Sequence, residues 1–482
     1  MDNFKMLLVY LVFVIMALLS CKREEQECEV DCDYVISHEL EIAIPESGTP
    51  TAWIYIIGGN RRGTKYVAPW GNDSNDGSFE HPWKTLRHSV SQLVPGDTLI
   101  VLPGNGRSRP LIMGMKEVRT AFDLSGRSYI WMENLEITHY PCGRGNTIYF
   151  WDGIAALDSP AHNLVFKDIY IHHIDGFGMN FCDIDSVQIL NCRLEYCGFG
   201  ALGGPPPQHG GWRHVVIRGC TLSYSGHYYR GTNDARPAYD RPDGFGIEPS
   251  SGPILIENTI AAHNYGDGID SKAESTTVIG CIVANNTCDG IKLWGDGSKM
   301  INCLIYGRGD GDNTLSPWSP ICFDQIEKPN AEFEVINCTI DDQLGGNYVL
   351  YIQYDAPYAN IPIKVTLKNT IISSRGADAP IYVRGSCTFI AENCLFYIPN
   401  SEWVLEYGDS IYTQSTIVNF GTGNIYGNPL FVKTGWGTEG DYHLRDGSPA
   451  IDRGTPNGAP NVDLDGNPRP LGSGYDIGCY ER

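Results

Sequence analysis

One short pattern recurs along this chain between residues 129 and 396, and it restricts the possible folds more than any other feature. Each copy reads apolar-apolar-x-[Cys/Asn/Asp]-apolar-x-apolar, as in VIRGCTL (216–222), VIGCIV (278–283) and MINCLI (300–305). When the copies are aligned, the polar or thiol position falls at Asn134, Asp168, Cys192, Cys220, Asn258, Cys281, Cys303, Cys338, Asn369 and Cys394. From Asp168 onward the intervals are 24, 28, 38, 23, 22, 35, 31 and 25 residues, so the longer intervals contain inserted loops.

A repeat of this length predicts a solenoid, in which each unit stacks on the next. The apolar pieces have the length of strands and leave no room for a crossover helix, so we expect parallel strands about 4.8 Å apart. We therefore predict an all-β, right-handed parallel β-helix over residues 64–425. A thiol repeated at one inward position packs as a small apolar group. Many of the sixteen cysteines are therefore predicted to be stacked thiols, while Cys28–Cys32 and Cys142–Cys182 remain possible disulfides.

The N-terminus has the pattern of an export signal. Lys5 precedes an apolar run at residues 7–19, and the sequence LLSC that follows resembles a bacterial lipobox. We expect a signal peptide over 1–20 and lipidation of Cys21, since the adjacent KREEQE resembles the start of Bacteroidota lipoproteins. The protein is then predicted to be anchored by lipid in the outer membrane, facing the cell surface or the periplasm. The alternative is an uncleaved membrane anchor, although the run is short for a membrane span.

Two further regions flank the predicted β-helix. Residues 21–63 are interpreted as a tether or N-terminal extension, and residues 84–94 as a capping helix that covers the first coil. Residues 426–482 are rich in Asp and Gly and are interpreted as a loop-rich C-terminal cap on the last coils.

The formal net charge of −22 argues against nucleic acid or an anionic membrane surface as a partner. We expect a monomer that meets the membrane through its lipid alone. An acidic protein that acts on an acidic glycan needs local cations or a bound metal.

A second motif, an Asp-Gly pair followed by an apolar residue, recurs between copies of the first, in DGFGIE (243–248), DGIDSK (267–272) and DGIKLW (289–294). Its aspartates are 24 and 22 residues apart, which places Asp243, Asp267 and Asp289 on three consecutive coils. Three residues further along, Asp270 lies beneath Lys292. Unpaired carboxylates at such spacing repel each other and favour a bound cation, and oxygen ligands suit Ca²⁺. The alternatives are independent Asp-Gly turns and an exposed patch of Asp and Lys.

The order D-G-F, then N-x-x-D-G-I-D (264–270), then D-G-I-K-L (289–293) resembles polysaccharide lyase family 9, whose members are parallel β-helix pectate lyases and relatives. The resemblance implies that Asp243, Asp267 and Asp270 bind Ca²⁺ and that Lys292 is the Brønsted base. Gly266 stands where the family has the first aspartate of an adjacent pair, and Asp289 stands where it usually has asparagine. We include Asp289 among the expected ligands as a replacement, with a weakened metal site as the alternative.

The resemblance predicts a calcium-dependent lyase that cleaves a pectin-like, uronic-acid-containing polysaccharide by β-elimination. Removal of the C5 proton requires a neutralised uronate carboxylate and a base that is partly uncharged. Aromatic rings stack on sugars and arginine binds carboxylates, so the expected substrate-binding residues are Arg241, Arg308, Tyr239, Trp294 and Trp318. Two alternatives stay open: a glycoside hydrolase that uses two of the aspartates, and a non-catalytic glycan-binding surface protein.

Overall fold

The structure is a computed structural model. It describes residues 63–94, 96–104, 109–114, 118–139, 150–227, 242–307, 319–343, 348–354, 360–375, 381–435 and 440–482, together with the backbone of 42–43 and 52–56.

Forty strands are present in the described residues, and all but two belong to three long sheets, here called A, B and C. Sheet A contains, in spatial order, β1 (Ile42–Ala43), β5 (Leu111–Met113), β8 (Glu136–Thr138), β11 (Tyr170–His172), β14 (Arg193–Glu195), β17 (Thr221–Ser223), β20 (Ile260–Ala262), β23 (Ile282–Ala284), β26 (Leu304–Tyr306), β29 (Thr339–Asp342), β32 (Ile371–Ser374), β35 (Leu395–Tyr397) and β38 (Ile425–Tyr426). Sheet B contains β3 (Thr64–Val67), β4 (Thr98–Val101), β2 (Ala52–Ile56), β7 (Ser128–Glu133), β10 (Ala161–Lys167), β13 (Ile184–Leu190), β16 (Trp212–Arg218), β19 (Ile254–Glu257), β22 (Thr276–Ile279), β25 (Ser298–Ile301), β28 (Ala331–Ile336), β31 (Ile363–Lys368) and β34 (Thr388–Glu392). Sheet C contains β6 (Thr120–Asp123), β9 (Asp152–Ala156), β12 (Phe177–Phe181), β15 (Gly200–Gly203), β18 (Phe245–Ser250), β21 (Ile269–Ala273), β24 (Ile291–Leu293), β27 (Ile321–Phe323), β30 (Leu350–Ile352), β33 (Ile381–Val383), β36 (Trp403–Tyr407) and β37 (Ser410–Thr413).

Each coil contributes one strand to each sheet, and neighbouring coils pair in parallel, so the predicted right-handed parallel β-helix is confirmed. The alternation of side chains along each strand forms the core, because every second residue points inward. In sheet B, Ile256 pairs with Val278, and both are buried in one continuous apolar cluster that runs through the stack. Antiparallel pairs occur at the two ends of the stack. At one end β1 pairs with β5 in sheet A and β2 pairs with β4 in sheet B, and at the other end β37 pairs with β36 in sheet C.

The strand pairing shows that the sequence alignment of the recurring pattern was wrong by one residue at four positions. Arg218 pairs with Glu257, and Glu257 with Ile279, which places Asn258 level with Gly219 and Gly280 rather than with the cysteines. The same shift applies to Asn134, Asp168 and Asn369. These four residues have φ between 48° and 60°. Asparagine and aspartate tolerate the left-handed region at a tight turn, so they occupy the turn position next to the thiol position.

The cysteines form the thiol ladder, defined here as Cys192, Cys220, Cys281, Cys303, Cys338 and Cys394, all free and buried. Each thiol donates to backbone carbonyls; that of Cys303, for example, lies 3.4 Å from the Val278 oxygen on the preceding coil. The prediction of stacked thiols is confirmed. Of the possible Cys142–Cys182 disulfide, Cys182 is a free, buried thiol, and Cys142 lies outside the described residues. Cys28 and Cys32 lie outside the described residues.

Short elements cover parts of the stack. The helix expected within 84–94 is α1 (Leu86–Gln92), whose N-cap Thr85 accepts a hydrogen bond from the His88 amide. A 3-10 helix spans Ile417–Asn419. The C-terminal region forms the hairpin of β39 (Phe431–Lys433) and β40 (Asp441–Leu444), and its apolar side chains pack against the outer face of sheet A. Among the described residues no helix combines the length and apolar character needed to cross a membrane.

Candidate functional site

The Asp-Gly turns lead directly into three adjacent strands of sheet C, namely β18, β21 and β24. Gly246 pairs with Asp270, and Asp270 pairs with Lys292, as the sequence spacing predicted. The neighbouring residues Ile269 and Ile291 are fully buried in the core. Because side chains alternate along a strand, Asp270 and Lys292 lie on the outer face of the sheet.

The three turn aspartates form the aspartate ladder, defined as Asp243, Asp267 and Asp289. Asp243 accepts a hydrogen bond from the Asp267 amide at 2.7 Å, and Asp267 accepts one from the Asp289 amide at 2.8 Å. Asp289 in turn accepts from the Ser319 amide at 2.7 Å. One oxygen of each carboxylate therefore orders the turn of the following coil.

Three carboxylates converge beside this ladder. One oxygen each from Asp243, Asp267 and Asp270 lies within 4.8 Å of the others. Asp270 is 7% exposed, and its Oδ1 atom is buried without a hydrogen-bond partner. Gly246 makes this approach possible, because a Cβ atom there would lie 2.5 Å from the Asp243 Oδ2. A buried, unpartnered carboxylate oxygen is costly unless something binds it, so the group fits a hard divalent cation such as Ca²⁺.

The electrostatics of the cluster agree with that interpretation. Burial, together with the charges of Asp267 and Asp270, holds the pKa of Asp243 well above its usual range. Burial raises the pKa of Asp267 to about 7, although the Lys292 ammonium opposes the shift. The like charges are therefore poorly compensated by the protein alone.

Lys292 lies between two members of the aspartate ladder. Its Nζ is 3.7 Å from the Asp267 Oδ2 and 3.6 Å from the Asp289 Oδ2. Burial alone would lower the pKa of Lys292, but the charges of Asp267, Asp270 and Asp289 outweigh it and the pKa lies above its ordinary value. Asp289 is not part of the three-carboxylate group. Its second oxygen contacts Lys292 and the Cys322 thiol, so its place is beside the amine.

A second lysine, which the sequence analysis missed, completes the charge arrangement. The Lys272 Nζ lies 3.2 Å from the Asp270 Oδ2 and 3.4 Å from the Glu248 Oε1. The signal was present as Asp-Ser-Lys, because residues two apart on a strand share a face. Lys272 thus holds the Oδ2 of Asp270, while the Oδ1 is the buried oxygen without a hydrogen-bond partner.

Trp294 packs between the two lysines rather than standing out from the surface. The Lys292 Nζ is 5.4 Å and the Lys272 Nζ 5.8 Å from its ring centroid, and the residue is 8% exposed. Cation–π contacts at these distances help to fix both ammonium groups. The other expected residues, Arg241, Tyr239, Arg308, Trp318 and Cys21, lie outside the described residues.

Comparison with known structures gives similarities of fold. The chain is similar to pectate lyase Pel9A, with 15% identity and a TM-score of 0.44 over 88% of this chain and 98% of that one. It is similar to XylC in its complex with xylose, with 10% identity and a TM-score of 0.48 over 87% and 99%. It is also similar to the A-module of the Azotobacter vinelandii mannuronan C-5 epimerase AlgE6, with 12% identity and a TM-score of 0.45 over 66% and 78%. No protein-family model and no curated protein sequence matches the chain.

Proposed function

We propose that the protein is a calcium-dependent lyase that cleaves an acidic, uronic-acid-containing polysaccharide by β-elimination. The observation that carries the proposal is the convergence of Asp243, Asp267 and Asp270 on one point, with a buried unpartnered oxygen, beside a lysine held in register with Asp270. The motif resemblance to polysaccharide lyase family 9 assigns roles to the same residues.

Different side chains of the protein would bind the cation and transfer the proton. Asp243, Asp267 and Asp270 would hold the cation, which when bound neutralises the uronate carboxylate and offsets the negative charge around the lysine. Lys292 takes the C5 proton of the sugar at its Nζ as the bond to the leaving oxygen breaks. Asp289, which is not one of these three carboxylates, holds the Nζ in place through its ion pair. Because only the neutral amine accepts a proton, activity is expected to rise from neutral to alkaline pH.

A product assay tests the reaction class. The protein is incubated with polygalacturonate, rhamnogalacturonan or alginate, with Ca²⁺ or with EDTA, and both ultraviolet absorbance and new reducing ends are recorded. We expect an unsaturated, absorbing product that requires Ca²⁺. Reducing ends without absorbance would identify a hydrolase instead, and neither signal across a broad glycan panel would leave a binding protein.

The geometry favours the lyase over the hydrolase. Carboxyl groups that act as a pair in retaining hydrolases lie about 5 to 5.5 Å apart, and inverting pairs lie about 6.5 to 9.5 Å apart. Asp267 and Asp289, which could otherwise supply such a pair, lie 3.7 Å and 3.6 Å from the Lys292 Nζ, so both carboxylates are ion-paired with an amine that a two-carboxylate hydrolase does not use.

We also propose that Cys21 is lipidated and anchors the enzyme in the outer membrane. The proposal is supported by the LLSC sequence. Cell fractionation of the wild type and of Cys21→Ser tests it, with the variant expected in the soluble fraction. Equal membrane association of the two proteins would reject it.

A further inference from the structure

Three tyrosine rings form a cluster on the outer face of sheet C, at a distance from the carboxylates. The ring centroids of Tyr348 and Tyr354 are 5.5 Å apart, those of Tyr348 and Tyr382 are 5.0 Å apart, and those of Tyr354 and Tyr382 are 5.5 Å apart. We call these three residues the tyrosine platform. Tyr354 is 42% exposed, and the other two are half-buried. The platform rests on Tyr351, which is buried and lies 5.6 Å from the Tyr354 ring.

The platform is continuous with the candidate site through the register of the sheet. Lys292 pairs with Cys322, Cys322 with Tyr351, and Tyr351 with Tyr382. At about 4.8 Å per strand, Tyr382 is therefore roughly 14 Å from Lys292 along the sheet.

Hydrogen bonds provide a second connection between the site and the platform. Asp289 accepts from the Ser319 amide, and the Ser319 hydroxyl donates to the Tyr348 carbonyl at 2.6 Å. The aspartate ladder thus leads into the backbone that carries the platform.

The guanidinium group of Arg384 lies beside the platform and is held by hydrogen bonds. The Arg384 Nε donates to the Gln353 carbonyl at 2.7 Å, and its Nη2 donates to the Tyr354 carbonyl at 3.1 Å. A guanidinium has five N–H donors, so these two bonds orient the group and leave further donors for an anion. Glu406, paired with Tyr382 on the next strand, adds a hydrogen-bond acceptor suited to sugar hydroxyls.

We propose that the tyrosine platform and Arg384 form a binding subsite for a uronate ring of the glycan, three strands away from Lys292. The platform offers flat apolar surfaces with hydroxyl groups at their edges, and Arg384 offers the planar fork that binds a carboxylate. The identity of the glycan rests on the proposed function. The inference adds that the chain runs along sheet C from the candidate base toward the C-terminal coils.

Binding, measured apart from turnover, tests the subsite. Proteins carrying Lys292→Ala are titrated by calorimetry with an octasaccharide of galacturonic acid and with a neutral galactose oligomer of the same length, in Ca²⁺. We expect Tyr354→Ala and Tyr382→Ala each to weaken binding of the acidic oligomer about 2- to 10-fold, since an aromatic contact contributes about 0.5 to 1.5 kcal/mol. Arg384→Gln should weaken it by about 10-fold or more through the lost charged hydrogen bond.

Matched controls separate recognition from folding. Tyr354→Phe keeps the ring and should lose less affinity than Tyr354→Ala, so the difference between the two variants measures the contribution of the ring. Tyr129→Ala removes a tyrosine of similar exposure, 48%, from sheet B and should have no effect. In the active protein, Tyr354→Ala should raise KM for the polymer and leave kcat unchanged.

The outcomes distinguish this inference from the proposed function. Unchanged binding in the tyrosine variants, an equal loss in Tyr129→Ala, or no binding of the acidic oligomer by the parent each overturns the subsite, even if the lyase reaction is found. Equal losses for the neutral oligomer overturn its assignment to a uronate. Selective loss for the acidic oligomer supports the subsite, even if the reaction proves to be a different one.

Discussion

The thiol ladder and the aspartate ladder arise from the same stacking of coils, but their energetic consequences are opposite. Cys281 and Cys303 face the core, and their thiols donate to backbone carbonyls of the preceding coil. Asp243 and Asp267 also repeat once per coil, at the turns that lead into sheet C, where stacking brings like charges together. Repetition therefore stabilises the inside of the solenoid, whereas at the surface it creates a site that needs a partner.

The largest expected effect comes from removing the amine at the aspartate ladder. Lys292→Ala should lower kcat about 100- to 10,000-fold, because general bases contribute that range. The measurement is the initial rate of ultraviolet product with saturating substrate and Ca²⁺. Lys364→Ala is the matched control, because Lys364 also belongs to an outer sheet face and pairs with Glu332. Activity retained in Lys292→Ala would remove Lys292 from the mechanism.

The next largest effect is expected from replacing Asp270, whose buried Oδ1 has no hydrogen-bond partner. Asp270→Asn should abolish or strongly weaken Ca²⁺ binding measured by calorimetry, because the cluster loses one of its three charges. Asp296→Asn is the control, an aspartate on the following coil, between β24 and β25, that pairs with Lys328. Equal Ca²⁺ affinity of Asp270→Asn and the wild type would contradict the three-carboxylate site.

The aspartate ladder should make the stability of the protein depend on pH. The pKa of Asp267 is raised by burial to about 7, from an ordinary value of 3.8. A raised carboxyl pKa contributes stability that is fully present below about pH 4 and is lost as the pH rises through about 7. In EDTA the Tm should therefore fall across this window, and Asp267→Asn should reduce the fall. Added Ca²⁺ should raise the Tm most at the alkaline end. A Tm that is independent of pH in EDTA would show that the carboxylates are compensated within the protein.

The smallest effect is expected inside the stack. Cys303→Ala should lower the free energy of unfolding by about 0.5 to 1.5 kcal/mol, the usual cost of deleting one small buried group, and should leave Ca²⁺ affinity unchanged. Denaturant titration measures it. Cys303→Ser keeps a donor for the Val278 carbonyl and tests how much of the loss is due to volume. A change in Ca²⁺ affinity would mean that the thiol ladder in the core and the aspartate ladder beside sheet C are energetically coupled.

The sequence predicted the architecture because a solenoid repeats its unit at a nearly constant interval. Intervals of 24 and 22 residues were sufficient to place Asp270 beside Lys292. The sequence alignment of the recurring pattern was wrong by one residue at Asn258 and three similar positions. The reason is that the turn position and the inward thiol position are adjacent in the sequence, and both recur on successive coils. Only backbone pairing separates them.

The sequence by itself therefore determined the fold and the rows of side chains on sheet C, since spacing fixes which residues share a position on successive coils. The tertiary structure alone decided which carboxylates meet, with Asp289 turned toward Lys292 and Lys272 bound to Asp270. It also brought together the tyrosine platform, since Tyr348 and Tyr354 flank β30 and Tyr382 lies on the neighbouring strand β33. The physical reason is that strand pairing sets position along the stack, whereas burial, charge and hydrogen bonding decide where each side chain points.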